Sequence, residues 1–202
     1  MPYHDFRQFL DVLRQHDELI DVNRPVALTD VGKAMKQSYR RQGPGIVFNQ
    51  TGTEFPLVCG VYSTRSKALL AFEADEKTIL QKVLDGLDNP IKPVVTSGGA
   101  SCHEVILDDD FDLMRFPIPT YSPKDGGPYI TPGIVVSKDP ETGIPDIGHY
   151  RFLILGKDTF SFSAQPNHRF GKNLAKCQKM GVTPKAALII RVDPILDRKS
   201  VV

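Results

Sequence analysis

Residues Glu104 to Arg151 read EVILDDDFDLMRFPIPTYSPKDGGPYITPGIVVSKDPETGIPDIGHYR. Three turn clusters punctuate the stretch: Pro117-Ile118-Pro119, Asp125-Gly126-Gly127-Pro128 and Asp139-Pro140-Glu141-Thr142-Gly143. Proline fixes φ and glycine admits backbone angles closed to other residues, so such clusters mark chain reversals. Short β-prone runs lie between them, and strands joined by tight turns predict an antiparallel β unit. The last turn leads into a run holding Asp146, Tyr150 and Arg151. Charged and hydrogen-bonding side chains therefore arrive where a strand leaves a tight loop, an arrangement suited to an anionic ligand or a metal.

Downstream, the β reading continues. Ile130 to Val136, His149 to Leu155 and Thr159 to Ala164 are expected strands. In Thr159-Phe160-Ser161-Phe162-Ser163 polar and aromatic residues alternate, the pattern of a strand with one buried face. Asn173 to Met180 is an expected helix. Ala186 to Val192 is apolar except for Arg191 and predicts a well-buried strand.

Upstream of Pro90 the periodicity is helical. Phe6, Phe9, Leu10 and Leu13 fall on one helix face behind Asp5 as N-cap. Leu19, Ile20 and Val22 read as a short extended piece. A second helix, through Val31, Ala34 and Met35, starts at Thr29 or Asp30 and ends before Gly43-Pro44-Gly45. Ile46 to Phe48 and Phe55 to Tyr62 read as strands joined by a hairpin connection at Gln50 to Thr53. A third helix runs through Leu69, Leu70 and Phe72 behind Ser63 or Thr64. A fourth, through Ile79, Leu80, Val83, Leu84 and Leu87, stops at Asn89-Pro90. The fold class is therefore α+β: a mixed α/β domain over residues 1–105, then part of a β-barrel or sandwich over 106–202.

Of the 202 residues, 41% are hydrophobic, enough for a substantial core. With 25 basic and 24 acidic side chains, the net charge of +1 offers no nucleic-acid or polybasic membrane footprint. No apolar run is long enough to span a bilayer, and the charged N-terminus lacks a signal-peptide core. The three cysteines, Cys59, Cys102 and Cys177, form no CxxC pair; reduced thiols in a cytoplasmic protein are the expectation.

Among chemistry-bearing residues, Asp146 offers a carboxylate to a hard cation, and His168 an imidazole that suits Mn²⁺ better than Mg²⁺. Arg151 can hold a carboxylate or phosphate through two hydrogen bonds. Spacing alone leaves the ordinary alternative open: a turn aspartate, a capping histidine and a solvated arginine. His149 sits two positions before Arg151, on the same face of an expected strand. Backbone amides around Ile147-Gly148-His149 can approach a phosphate because Gly148 has no side chain to block it. His4 and His16 belong to the exposed side of the first helix. Cys102 and His103 are neighbours, but on a strand they face opposite ways and form no nucleophile pair. Asp108 to Asp110 with Asp112 lack the ligand alternation of an EF-hand loop and read as a solvated turn.

These residues resemble the UbiD family of reversible aromatic and acrylic acid decarboxylases. The resemblance is carried by Glu104-Val105, Asp112-Leu113, Phe116 to Pro119, Asp125 to Thr131, Lys138-Asp139-Pro140, Gly143 and Gly148 to Arg151. Looser similarity extends from the first helix to the Ala186 to Pro194 strand. The resemblance implies prenylated FMN in a split β-barrel domain, its phosphate held through a divalent metal, usually Mn²⁺, with K⁺ nearby. It implies metal ligation by Asp146 and His168, a phosphate pocket lined by Asn167, and an approach to the flavin by Thr131. Residues Ile147, Gly148, His149 and Tyr150 would join the cofactor site, with Arg151 as the catalytic arginine that handles the substrate carboxylate. It further implies a small aromatic or acrylic acid as substrate, a flavin prenyltransferase as cofactor supplier, and a homo-oligomer. Loss of CO₂ from an sp² carbon leaves an unstabilised carbanion, which explains the need for an electron-accepting cofactor.

Two departures accompany the resemblance. Asp146 stands where the family has Asn, which keeps an oxygen ligand but adds negative charge beside the phosphate. The family's third metal ligand and two catalytic glutamates are expected beyond Val202, so little activity is expected of these residues alone. The alternatives are a short non-catalytic module that binds flavin or metal or joins a partner chain, and an ordinary FMN-dependent oxidoreductase.

Overall fold

The structure is a computed structural model and describes residues 3–91, 94, 97–108 and 110–192. Helix α1 (Phe6–Gln15) starts where Asp5 accepts a hydrogen bond from the Gln8 amide and buries Phe9, Leu10 and Leu13, as the spacing predicts. Strand β1 (Leu19–Val22) follows, then α2 (Val31–Arg40), β2 (Gly45–Phe48) and β3 (Leu57–Cys59). Asp30 precedes α2 without capping it through its side chain, which instead pairs with Lys33 at 2.8 Å. The expected strand from Phe55 to Tyr62 is reduced to three residues, ended by Gly60 at φ 75°. Helix α3 (Arg65–Phe72) is capped by Thr64, and α4 (Ile79–Asp88) ends at Asn89.

In the first sheet, of order β1-β2-β3, β1 runs parallel and β3 antiparallel to β2. One side packs on α1 and α3 through Phe9, Leu13, Val47 and Ala71; the other packs on α2 through Val31, Met35, Ile46 and Phe48. Burial from two sides accounts for the unbroken burial of β2. Lys67 is fully buried and donates to the Gly43 carbonyl at 2.7 Å and to Ser63 Oγ at 2.9 Å, with Glu18 at 3.5 Å.

Beyond Pro90 the described residues contain two single-turn 3-10 segments, at Ser101–His103 and Leu113–Arg115. Cys102 and His103 thus lie in a turn, not on a strand, and Cys102 is exposed. The second sheet follows, built from β4 (Tyr129–Lys138), β5 (Pro145–Ile154), β6 (Phe160–Phe162) and β7 (Ala186–Ile190), in the order β6-β5-β4-β7. Helix α5 (Arg169–Met180) covers one face and starts four residues before the expected Asn173. The core between them holds Ile130, Val135, Phe152, Ile154 and Phe170. The burial expected of the final strand is not found: β7 lies at the sheet edge and its residues are exposed or half-buried. Arg191, in the left-handed region at φ 75°, ends it.

Several contacts join the two halves, among them Arg191 over the Phe6 ring at 5.9 Å. Arg115 grips Glu54 through two hydrogen bonds of 2.8 and 2.9 Å, and Phe55 stacks on Phe116 at 5.3 Å. Gly32 of α2 lies so close to the Tyr121 carbonyl that no side chain fits between them. Beside these contacts is an apolar cavity of about 760 Å³, whose lining includes Tyr39, Phe116, Tyr121 and Thr131.

Candidate functional site

The β4–β5 pair carries most of the residues singled out above, and its register decides which of them meet. Ser137 pairs with Asp146, Val135 with Gly148, and Gly133 with Tyr150. Directly opposed residues point to the same side, and alternate residues of a strand share a face. Asp146, Gly148, Tyr150 and Phe152 therefore share the face under α5; Ile147, His149 and Arg151 share the other.

On the α5 face, the Asp146 side chain is 8% exposed, and Arg169 Nε lies 3.7 Å from its Oδ1. Arg169 is the first residue of α5, and His168 is the N-cap position, with extended backbone and no side-chain capping bond. Arg169, which contacts Asp146 at the start of β5, is the chain neighbour of His168. His168 and Asn167 are both exposed. The helix N-terminus adds positive potential there, because its first amides lack intrahelical partners. Among the described residues, no three His, Cys, Asp or Glu groups gather closely enough to form a complete metal centre.

Tyr150 packs against Phe170 and Phe162 at centroid distances of 5.5 and 5.9 Å, and its ring lies over Gly148. A Cβ at Gly148 would come within 2.9 Å of that ring, so glycine is what lets the tyrosine lie flat along β5. Burial raises the Tyr150 phenol above its usual pKa, and the Asp146 charge adds to the shift.

On the opposite side, Arg151 stands across from a bulge. Ile130 pairs with Phe152 and Gly133 with Tyr150, so Thr131 and Pro132 together oppose the single residue Arg151. Such bulges redirect side chains and recur beside active sites. Arg151 and Thr131 are exposed, and Tyr121 Oη lies 3.2 Å from Thr131 Oγ1. Burial pushes the Tyr121 phenol up to about 12. Strand alternation thus separates Arg151 from Asp146 by five positions and one face, roughly 17 Å along β5 at 3.3 Å per residue.

β6 pairs only with Phe152 to Ile154, so on that side β5 has no described strand partner from Pro145 to Arg151.

Ser137, Arg169 and Asn173 are missing from the candidates read from sequence. Ser137 is 5% and Asn173 3% exposed, and neither Ser137 Oγ nor Asn173 Nδ2 has a hydrogen-bond partner among the described residues. In the sequence, Asn173 interrupts the apolar stripe between Phe170 and Cys177 of α5, and Ser137 ends the apolar run of β4.

The fold agrees with comparison to known families. The chain belongs to the UbiD family of carboxy-lyases. Residues 93–201 match the 3-octaprenyl-4-hydroxybenzoate carboxy-lyase Rift-related domain, and residues 10–87 match the N-terminal domain of the same enzymes. Among solved structures, an evolved dimeric form of the UbiD-class enzyme HmfF from Pelotomaculum thermopropionicum, in complex with prFMN, superposes with a TM-score of 0.88 at 27% identity, over 95% of this chain and 45% of that one. The closed form of Sedimentibacter hydroxybenzoicus vanillic acid decarboxylase gives 0.90 at 26% identity, over 99% and 45%. Anhydromevalonate phosphate decarboxylase of Methanothermobacter thermautotrophicus is 28% identical over 149 residues, 74% of this chain and 34% of that protein. The chain spans less than half the length of these relatives. Among the described residues no helix is long and apolar enough to cross a membrane.

Proposed function

We propose that this chain supplies the N-terminal domain (residues 1–105) and part of a split-barrel cofactor domain (residues 106–202) of a UbiD-type decarboxylase. Its substrate class is small aromatic or α,β-unsaturated carboxylic acids. The observation that carries this reading is β5 itself. One end holds Asp146 beside the α5 N-terminus, and the other holds Arg151 across from the Thr131–Pro132 bulge, with no described strand paired to the β6-side edge between them.

The residues present fit the phosphate end of a flavin. A buried carboxylate and an exposed imidazole at a helix N-terminus are the oxygen and nitrogen donors that a hard cation beside a phosphate would take. Asp146 and His168 would hold Mn²⁺ or Mg²⁺, with K⁺ nearby, while Ile147, Gly148, His149 and Asn167 would line the phosphate. Thr131, Tyr150 and Arg151 would flank the ring. Prenylated FMN, when bound, supplies the electron sink that loss of CO₂ from an sp² carbon demands. Two structures of one relative support the flavin: HmfF is seen in complex with prFMN and in complex with FMN.

Arg151 has the chemistry to fix a carboxylate through two parallel hydrogen bonds, orienting the bond that breaks. Protonation of the carbon that loses CO₂ needs a positioned acid. No Asp or Glu occupies the Arg151 face of β4, β5 and β7 among the described residues. That face of the sheet therefore does not supply the acid, and we expect negligible turnover from it alone. A homo-oligomer, loaded by a flavin prenyltransferase in the cytoplasm, is part of the same reading.

The test is co-expression with a flavin prenyltransferase followed by native mass spectrometry and absorbance spectroscopy. One flavin and one divalent ion per chain are expected, both lost in Asp146→Ala. A chain that emerges free of flavin and metal contradicts the reading. A partner-associating module is favoured by one observation, the exposed stripe Leu80, Leu84 and Leu87 on α4; a stable complex without any flavin would mark that outcome.

A further inference from the structure

The apolar cavity between the two halves has no role in the reading above. Its volume of about 760 Å³ falls in the range of pockets that enclose a drug-sized ligand, and such pockets form preferentially where domains meet. One wall comes from α2 and β3, with Tyr39 and Phe55; the other comes from the segment Phe116 to Tyr121 and the start of β4.

The charge of this lining is one-sided. Arg191 is its one charged residue, and the lining holds no Asp, Glu or Lys. Burial keeps the Cys59 thiol and the Tyr121 phenol neutral, pushing each up to about 12. Nothing in the wall therefore answers the arginine's charge.

Arg191 is also held in an uncommon way. Among the described residues, four other than glycine lie in the left-handed region. Asp17, Gln42 and Glu73 close α1, α2 and α3, where that conformation is ordinary. Arg191, at φ 75°, closes no helix and follows β7. Backbone strain of this kind clusters where a side chain clamps a ligand. The guanidinium lies 5.9 Å from the ring centroid of Phe6, which belongs to the same lining. It makes no ion pair with a described residue; Asp5, whose charge it feels, sits with Arg7 at 3.7 Å. Partial burial holds its pKa below the usual value, and the Arg7 charge adds to the shift.

An apolar chamber with one cation and no acid selects a hydrophobic monoanion. Aromatic walls favour flat rings. A guanidinium takes a carboxylate through two parallel hydrogen bonds. We propose that this cavity binds an aromatic monocarboxylate of two or more rings, its rings between the halves and its carboxylate on Arg191. Arg151 is not part of the lining, so this is a second acid-binding site and does not rest on the flavin reading. Because both halves supply walls, the occupant also clamps them together.

The experiment uses the 202-residue chain without flavin or metal. The probes are naphthalene carboxylate and its neutral carboxamide, which share a shape and differ in charge. Affinities come from probe fluorescence at neutral pH, and stability from melting without probe. Hydrogen bonds to a charged group predict the carboxylate bound about tenfold or more tighter than the amide. Arg191→Gly should remove that preference and leave the amide's affinity unchanged. Its melting without probe should be unchanged or higher, because glycine accepts the left-handed backbone. Phe55→Ala should weaken both probes alike, and Arg151→Gln should leave both as in wild type. A wild type that binds the probes equally, or binds neither, overturns the proposal. So does a preference that survives in Arg191→Gly. Loss of amide affinity and of melting temperature in Arg191→Gly marks a merely structural arginine and overturns it as well. A preference lost in Arg151→Gln puts the acid on β5 instead, and unchanged binding in Phe55→Ala puts the rings outside the cavity; either result sinks the assignment and leaves the flavin reading standing.

Discussion

Ser137 and Asp146 stand directly opposite each other on β4 and β5, with their side chains on the face that α5 covers. A buried carboxylate next to a buried hydroxyl, with an exposed arginine at 3.7 Å as its one ion-pair partner among the described residues, is an unusual way to end a strand pair. It makes the Asp146 charge the most informative single feature to alter.

Asp146→Asn removes one negative charge from the site while keeping an oxygen ligand. FMN affinity without divalent ions should rise, since repulsion of the phosphate is relieved. The gain in FMN affinity on adding Mn²⁺ should shrink. Fluorescence titrations with Mn²⁺ and with a chelator measure both; an Mn²⁺ effect as large as in wild type counts against Asp146 as a ligand.

Gly171, in the first turn of α5, abuts the Gln165 carbonyl and Pro166 so closely that a Cβ there overlaps them. Replacing a helical glycine by alanine ordinarily stabilises by roughly 1 kcal/mol. Here Gly171→Ala should destabilise by about 1–3 kcal/mol and displace the loop that carries Asn167 and His168. Urea denaturation gives the sign, and weaker Mn²⁺ binding reports the displaced loop.

Phe152 is 1% exposed and meets Phe160 at 4.9 Å and Phe162 at 5.2 Å. Phe152→Ala should cost about 3–5 kcal/mol, since three strands and α5 share that core. Phe160→Ala, at the half-buried edge strand, should cost less. Equal losses in urea denaturation would place the centre of the core elsewhere.

Burial holds the Lys67 ammonium below its usual pKa, partly offset by Glu18. Raising the pH then releases the proton from the folded chain before the unfolded one, so the unfolded state binds more protons. Stability from this group should therefore rise with pH up to the ordinary lysine value of about 10.4. Lys67→Met should abolish that contribution, which appears as the difference between the two chains' urea midpoints from pH 8 to 10. A parallel pH dependence in both would show that Lys67 does not titrate early.

Much of the local structure was legible in the sequence because it depends on residues close in the chain. The apolar spacing of Phe6, Phe9, Leu10 and Leu13 behind Asp5 defined α1, and the turn residues at Asp139 to Gly143 defined the β4–β5 hairpin. Burial of the last strand was misjudged because an apolar run does not say whether a strand will have neighbours on both sides; β7 has β4 on one side and no described strand on the other. The family motifs pointed to Asp146, Arg151 and His168, but not to the division of Asp146 and Arg151 between two faces, which register and the Thr131–Pro132 bulge decide. Nor could letters alone single out Ser137 or Asn173. A serine in a strand and an asparagine in a helix become exceptional only when packing strips them of water without supplying partners, and burial is a property of the assembled fold.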